Sequence, residues 1–462
     1  PNTNGVTPLN AKQYMEINDK AYDIQGTNKY DWAKLIPKQY AQIQNGTWNG
    51  TNWLEETTVH NAPIHNESIN ILGGSDVSRF AVGFTNFAQT GTIGYPATPQ
   101  FDRKTFRMNS DYSLIRKRGR DILKFGENVT FTVSNRHGLS IGGIYDNNIR
   151  TLMSMSPLLP AYNDEGGWYE YKDIVADKWD FSAEMANPLA QIYYTRKNRY
   201  NKGYRLQSNF FLEFAPIKGL TFRSSAGWQY NHGESRSYTP VYELSTKTSN
   251  PVDDVSQSQN YSIRWSWENT ANWVKSFGNH NIDLLVGQSL EKWGYGNSVN
   301  VTNSDSRFPG SFDHAYIGNA NVVDPAYTSI GGSPNGEGAL SSFFGRLNYN
   351  WNETYLLSVV MRADGSSNFA RGHRWGYFPS VSAGWVLTNE PFMDNVSKDF
   401  LSFLKFRASW GQNGNCNISS FQYLATISLD ARYYFGDKSS PAIGAYPDIL
   451  PNPDVKWETS EQ

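Results

Sequence analysis

Long segments in which apolar and polar side chains alternate strictly recur along almost the whole chain, and a period of two admits only extended strands with two chemically different faces. In "TYLLSVVMRAD", Tyr355, Leu357, Val359 and Met361 share one face, while Ser358, Arg362 and Asp364 occupy the other. Phe343, Leu347, Tyr349 and Trp351 likewise oppose Arg346, Asn348 and Asn350, and Leu404, Phe406, Ala408 and Trp410 oppose Lys405, Arg407 and Ser409. Upstream, Tyr261, Ile263, Trp265 and Trp267 alternate with Ser262, Arg264, Ser266 and Glu268, and Phe106, Met108 and Tyr112 with Arg107, Asn109 and Asp111. "ILKFGENVTFTV" breaks the rule: Glu127 falls on the side of Leu123, Phe125, Val129 and Phe131, so it is expected near an interface or at a bulge if that side meets lipid.

The connections between these segments alternate as well. "GGSDVS", "KRGRD", "APIKG", "SFGNHN" and "NWNET" are short and rich in turn residues. Every second connection is long: about 88 to 104, 136 to 202, 232 to 257, 293 to 340, 364 to 376 and 412 to 456. Tight turns at one end of a strand meander and long loops at the other are the layout of an outer-membrane β-barrel. A soluble sandwich or propeller would alternate equally well. Strands of about ten residues or more, with Trp and Tyr towards their ends, favour a tilted crossing of a bilayer with aromatic girdles.

Composition agrees. Of 462 residues, 15% are aromatic and 39 are Gly, while charged residues make up 18%, below the roughly 25% of soluble globular proteins. Mean hydropathy is −0.58, and no apolar run approaches the roughly 20 residues of a spanning helix. A barrel signals itself by alternation instead. With 41 basic and 43 acidic residues, a net charge of −2 gives no basic surface for nucleic acid. The single Cys416 forms no intrachain disulfide and excludes a cysteine-built zinc site within this chain. Because the chain starts at Pro1 with no initiator Met and no signal peptide, it reads as a mature protein or a piece of one.

Residues suited to chemistry are sparse. No nucleophile elbow, phosphate loop, HExxH or EF-hand pattern is present, and neither a cofactor nor a metal is expected. His60 and His65 have no third ligand at a usual spacing, and Asp364, Ser366 and Asn368 in "DGSSN" read as a turn before they read as a calcium site. Trp168, Tyr169 and Tyr171, beside Asp164 and Glu165, are candidates for stacking on sugar rings, although loop aromatics that merely pack the loop look the same in sequence. Arg264, Glu268, Arg346, Arg362, Lys405 and Arg407 are expected to face a polar lumen.

"RADGSSNFARGHRWGYFPSVSAGWVLTNEPFM", residues 362 to 393, closely resembles the signature of the SusC/RagA-like TonB-dependent transporters of Bacteroidetes. The resemblance continues in "LKFRASWGQNGN" and "NPDVKWETSEQ", and upstream in "HNESINILGGSDVSRFAVGFTNFAQTGTIG" and "FDRKTFRMNSDYSL". "LNAKQYMEINDKAYD", with Asn10 as its cap, is similar to the short helix of that family's first outer loop.

The resemblance implies an all-β transmembrane antiparallel barrel of about 22 strands, closed by a plug. It implies import of oligosaccharides or peptides with a SusD-like surface lipoprotein, driven through TonB acting on the plug, and pairs of transporter–lipoprotein units. About a dozen strands are expected here, with residues 1–64 as the first outer loop and 65–462 as barrel, so that the plug and the closing strands lie outside this sequence. The signature residues Arg362, Asp364, Gly365, Arg374, Trp375, Gly376 and Phe378 are expected to shape a loop and its re-entry into the membrane, not to catalyse. A surface receptor or adhesin on the same barrel, and a secreted glycan-active β-protein, are the alternatives.

Overall fold

The computed structural model describes residues 8–26, 29–141, 143, 147–182, 184–322, 328–394, 396, 397, 399–434 and 442–462. Its frame is an antiparallel meander in which every strand pairs with the next in sequence: β1 (Ile64–Gly74), β2 (Ser78–Thr90), β3 (Gln100–Lys117), β4 (Arg120–His137), β5 (Arg199–Ile217), β6 (Leu220–Thr239), β7 (Asp254–Phe277), β8 (His280–Ser306), β9 (Gly338–Trp351), β10 (Tyr355–Ser366), β11 (Trp375–Val386), β12 (Lys405–Asn415) and β13 (Glu458–Glu461). Two short strands also pair with β8, making a 15-stranded sheet. β1 and β13 are its two ends, so the sheet is not closed in this chain.

Register fixes the faces, because residues directly opposite in an antiparallel ladder point the same way. Phe84, Phe106, Phe131, Leu206, Tyr230 and Ile263 form one continuous apolar row across six strands. One residue over, Thr105, Thr132, Arg205, Asn231 and Ser262 form a polar row on the opposite face. A slip of one residue in any pair would exchange the two rows, so the alternation itself pins the register.

Tight turns sit at one end only. Arg118 and Gly119 both take positive φ, 50° and 75°, as do Asn352 and Glu353 at 52° each, the handedness that matches the twist of the flanking strands. Glu127 does not sit at a bulge. It lies in regular register between Ser110 and Phe210 on the apolar face, and its Oε1 accepts a hydrogen bond from Ser110 Oγ at 2.8 Å. The pleat places it there, and the ladder absorbs the carboxylate by pairing it across the strands.

The opposite end carries a helical lobe. α1 (Ala11–Gln25) starts at Asn10, whose side chain accepts from the Gln13 amide in a capping box, and stops at Gly26 in the left-handed region. α2 (Trp32–Leu35), α3 (Pro37–Gln44) and α4 (Trp53–Thr57) follow, and the β4–β5 connection supplies α5 (Asn148–Ser154), α6 (Tyr171–Ala176) and α7 (Pro188–Arg196). Both segments share one apolar core built on Trp32, Ile36, Trp53, Leu158, Leu159, Ile174 and Leu189. Trp53 Nε1 donates to the Ser156 carbonyl at 3.0 Å and Thr51 Oγ1 to the Leu159 carbonyl at 2.7 Å, which satisfies polar groups that burial would otherwise leave unpaired.

Candidate functional site

The polar face of the sheet carries Arg264, Glu268, Arg346, Lys405 and Arg407, all exposed. Arg264 is ion-paired with Glu291 on the neighbouring strand. Arg346 Nη2 donates to Asp283 Oδ2 at 3.4 Å, and Asn348 Nδ2 reaches the same oxygen at 3.4 Å. Lys405 and Arg407 line a concavity of about 790 Å³ together with Asp283, Ser358, Ser382 and Ser409, and among the described residues no ion pair engages either cation. Glu268 stands between Ser225 and Ser289 in the ladder. This face therefore presents separate cationic, anionic and amide groups that can hydrogen-bond a polar partner.

The signature residues gather into one knot. Arg362 Nε donates to Asp364 Oδ2 at 2.8 Å and its Nη2 to Ser342 Oγ at 3.0 Å. Arg374 Nε donates to the Phe369 carbonyl at 3.2 Å, and its own carbonyl accepts from Trp457 Nε1 at 2.8 Å. The Trp457 ring lies 5.2 Å from Phe378 and 5.6 Å from the fully buried Phe369. A Cβ at Gly376 would collide with both Phe378 and Trp457, so this approach needs glycine. Asn368 Nδ2 donates to the Cys416 carbonyl at 3.1 Å and Ser420 Oγ donates to Asn368 Oδ1 at 3.2 Å. Trp375 and Tyr377 point to the apolar face, with Trp375 stacked 6.0 Å from Phe343. Arg362, Ser366 and Asn368 thus spend their polar groups on the chain itself. Ser342 and Trp457 are the partners that sequence reading missed. Ser342 is recoverable, since it lies opposite Asp364 in the β9–β10 register, but nothing local marks Trp457.

The three loop aromatics part company. Tyr169 is 2% exposed; its hydroxyl donates to Asp177 Oδ2 at 3.0 Å and accepts from Gln39 Nε2 at 3.3 Å. Burial, and then the charge of Asp177, pushes its phenol well above the ordinary range. Lys38 joins this network through Asp164 at 2.8 Å and Asp177 at 3.2 Å, and the Asp164 hydrogen bond raises its pKa. Tyr171 opens α6 and packs on the lobe core. Trp168 stacks on Tyr162 at 5.4 Å and touches Tyr193 at 5.7 Å, and Tyr194 and Tyr242 extend the row. His60 is paired with Glu55 at 3.2 Å, and among the described residues no cluster of His, Cys, Asp and Glu gathers to hold a metal.

No protein-family model matches the chain. The TonB-dependent receptor P26 of Formosa agariphila is 26% identical over 421 residues, covering 90% of this chain and 38% of its own length. The TonB-dependent receptor SusC of Bacteroides thetaiotaomicron is 26% identical over 487 residues, 98% of this chain and 44% of its own. The chain is a relative of the SusC-like TonB-dependent receptors. A solved structure of the RagAB peptide transporter shares the fold, with a TM-score of 0.78 at 18% identity over 98% of this chain and 49% of that one. The SusC-like chain spans less than half the length of the curated relatives it matches. Its sheet is an unclosed stretch of outer-membrane β-barrel wall, with one apolar and one polar face and with the long loops and helical lobe at the end opposite the tight turns.

Proposed function

We propose that the full-length protein is a TonB-dependent active importer of oligosaccharides or peptides, working with a SusD-like surface lipoprotein, and that it is not an enzyme. What supports the reading most is likeness to SusC along 98% of this chain. The wall adds to it. Arg264, Glu268, Arg346, Lys405 and Arg407 would line the route or meet a plug, and the row at Tyr162 and Trp168 suits stacking on sugar rings. The signature knot at Arg362, Asp364, Gly365, Arg374, Trp375, Gly376 and Phe378 would hold an outer loop in shape and leave cargo to the surfaces around it.

Solubilising the full-length protein from outer membrane, and identifying by mass spectrometry the proteins and small molecules that copurify, tests the proposal. A lipoprotein together with an oligosaccharide or peptide is expected. A barrel that purifies alone, and whose deletion leaves uptake of both cargo classes unchanged, would overturn it in favour of a surface receptor.

A further inference from the structure

Among the described residues, the end of the sheet that carries the tight turns has one long connection, the one from Val386 of β11 to Lys405 of β12. It starts at a cluster on the lipid-facing side. Tyr355 and Trp385 lie opposite each other in the β10–β11 register, and Trp385 lies opposite Phe406 in the next pair. Trp351 stacks 5.4 Å from Tyr355, and Phe406 lies 6.2 Å from Trp385. These rings form the aromatic belt of the periplasmic interface.

Glu390 is held against that belt from outside the sheet. Tyr355 Oη donates to its Oε1 at 2.5 Å and Trp385 Nε1 donates to the same oxygen at 2.8 Å. Asn389 Nδ2 fixes the preceding residue on the Glu353 carbonyl at 3.0 Å, and Leu387 closes the far end with a 2.9 Å bond to the Leu404 carbonyl. From this clamp the connection presents Phe392 at 63% exposure, Phe400 at 87% and Phe403 at 63%. Three phenylalanines facing water from a tethered segment are an unfavourable arrangement. The connection that carries them is tied through Glu390 to Tyr355 and Trp385 of the lipid-facing row, and the headgroup layer is the medium that row meets at this end.

We propose that the β11–β12 connection is an interfacial foot, which seats Phe392, Phe400 and Phe403 in the headgroup–acyl boundary of the periplasmic leaflet and is aimed there by the bonds of Tyr355 and Trp385 to Glu390. The occupant of this apolar surface is lipid. An amphipathic segment lying in the interface plane gains from every ring it buries in that boundary.

Spin labels test it. In full-length protein carrying Cys416→Ser, reconstituted into phosphatidylethanolamine/phosphatidylglycerol vesicles, a nitroxide is placed at Phe400→Cys, at Phe392→Cys in a second variant, and at Asp76→Cys in a short turn as the reference. Collisions with oxygen relative to a water-soluble nickel chelate should be several-fold higher at both foot positions than at the turn. A ratio equal to that of the turn would place the foot in water. Labels shielded from both quenchers would show that a protein segment covers it. Either result overturns the proposal. The labels report depth independently of uptake, so failure of the importer reading would leave this result standing.

Discussion

Arg362 and Asp364, two residues apart on the polar face of β10, are joined by a 2.8 Å bond from Nε to Oδ2, and Asp364 is only 6% exposed. The carboxylate is thus buried in the wall of a barrel, held by a neighbour on its own strand, while Ser342 holds the same guanidinium from β9 at 3.0 Å. Replacing Arg362 with Gln leaves Asp364 buried without its cation and is expected to destabilise the full-length barrel by about 1 to 3 kcal/mol, the discount from a fully buried pair reflecting a half-exposed arginine. Arg362→Lys should recover part of this. The shift of the unfolding midpoint in detergent, followed by gel mobility, measures it, and an unchanged midpoint in the Gln variant would refute the clamp.

Trp457 closes the same knot from far along the chain. Trp457→Ala removes the ring between Phe369 and Phe378 and the 2.8 Å bond to Arg374. Deleting a partly buried tryptophan costs roughly 1 to 3 kcal/mol. Because the lost contacts tie down the β12–β13 connection, trypsin should cut within residues 416–457 before any other long connection, and mass spectrometry of the first fragment checks this.

The two faces are separable by one residue. Phe131→Lys puts a charge into the apolar row and should cost about 2 to 4 kcal/mol in a bilayer. Thr132→Lys, one position along on the polar row, should cost less than about 1 kcal/mol. Refolding into vesicles over a urea series compares them; equal penalties would mean that the two faces do not meet different media, and a larger penalty at Thr132 that they are assigned the wrong way round.

The lobe network predicts an alkaline loss. Lys38 has its pKa raised above 10.5, first by the Asp164 hydrogen bond, and Tyr169 is raised above 10.0 by burial. For groups raised on folding, the stabilisation is complete below the unfolded value and disappears as pH climbs through the folded one. Hydrogen-exchange protection factors in α3 and α6, which divide out the base-catalysed rise of intrinsic exchange, should therefore be flat from neutral pH to about 10 and fall above that range. Asp177→Asn should already show the lowered protection at neutral pH.

The foot predicts an acid loss. The Tyr355 hydroxyl, and then the Trp385 indole, hold the Glu390 carboxyl below its ordinary 4.5. A depressed carboxylate stabilises above its unfolded value and loses that contribution as pH falls through the folded one. A label at Phe392→Cys should gain mobility only as pH falls below the ordinary carboxylate range, and Glu390→Gln should show that mobility at neutral pH.

The sequence by itself determined the sheet. Alternation specifies both faces of each strand, and a one-residue slip would bury charge in lipid at Arg346 or Arg407, so strand order, register and the two environments follow from local pattern and short turns. Asn10 capped its helix for the same reason: the partners of a cap are three residues away. Only the tertiary structure decided what the loops do. The 136–202 segment carries little periodicity of its own, and its helices hold because residues 8–57 fold onto them and complete a core that neither half contains. Tyr169 looked like an exposed aromatic until Gln39 and Asp177 enclosed it. Trp457 meets Arg374 across 83 positions, and a contact at that separation leaves no mark in the residues that flank either end.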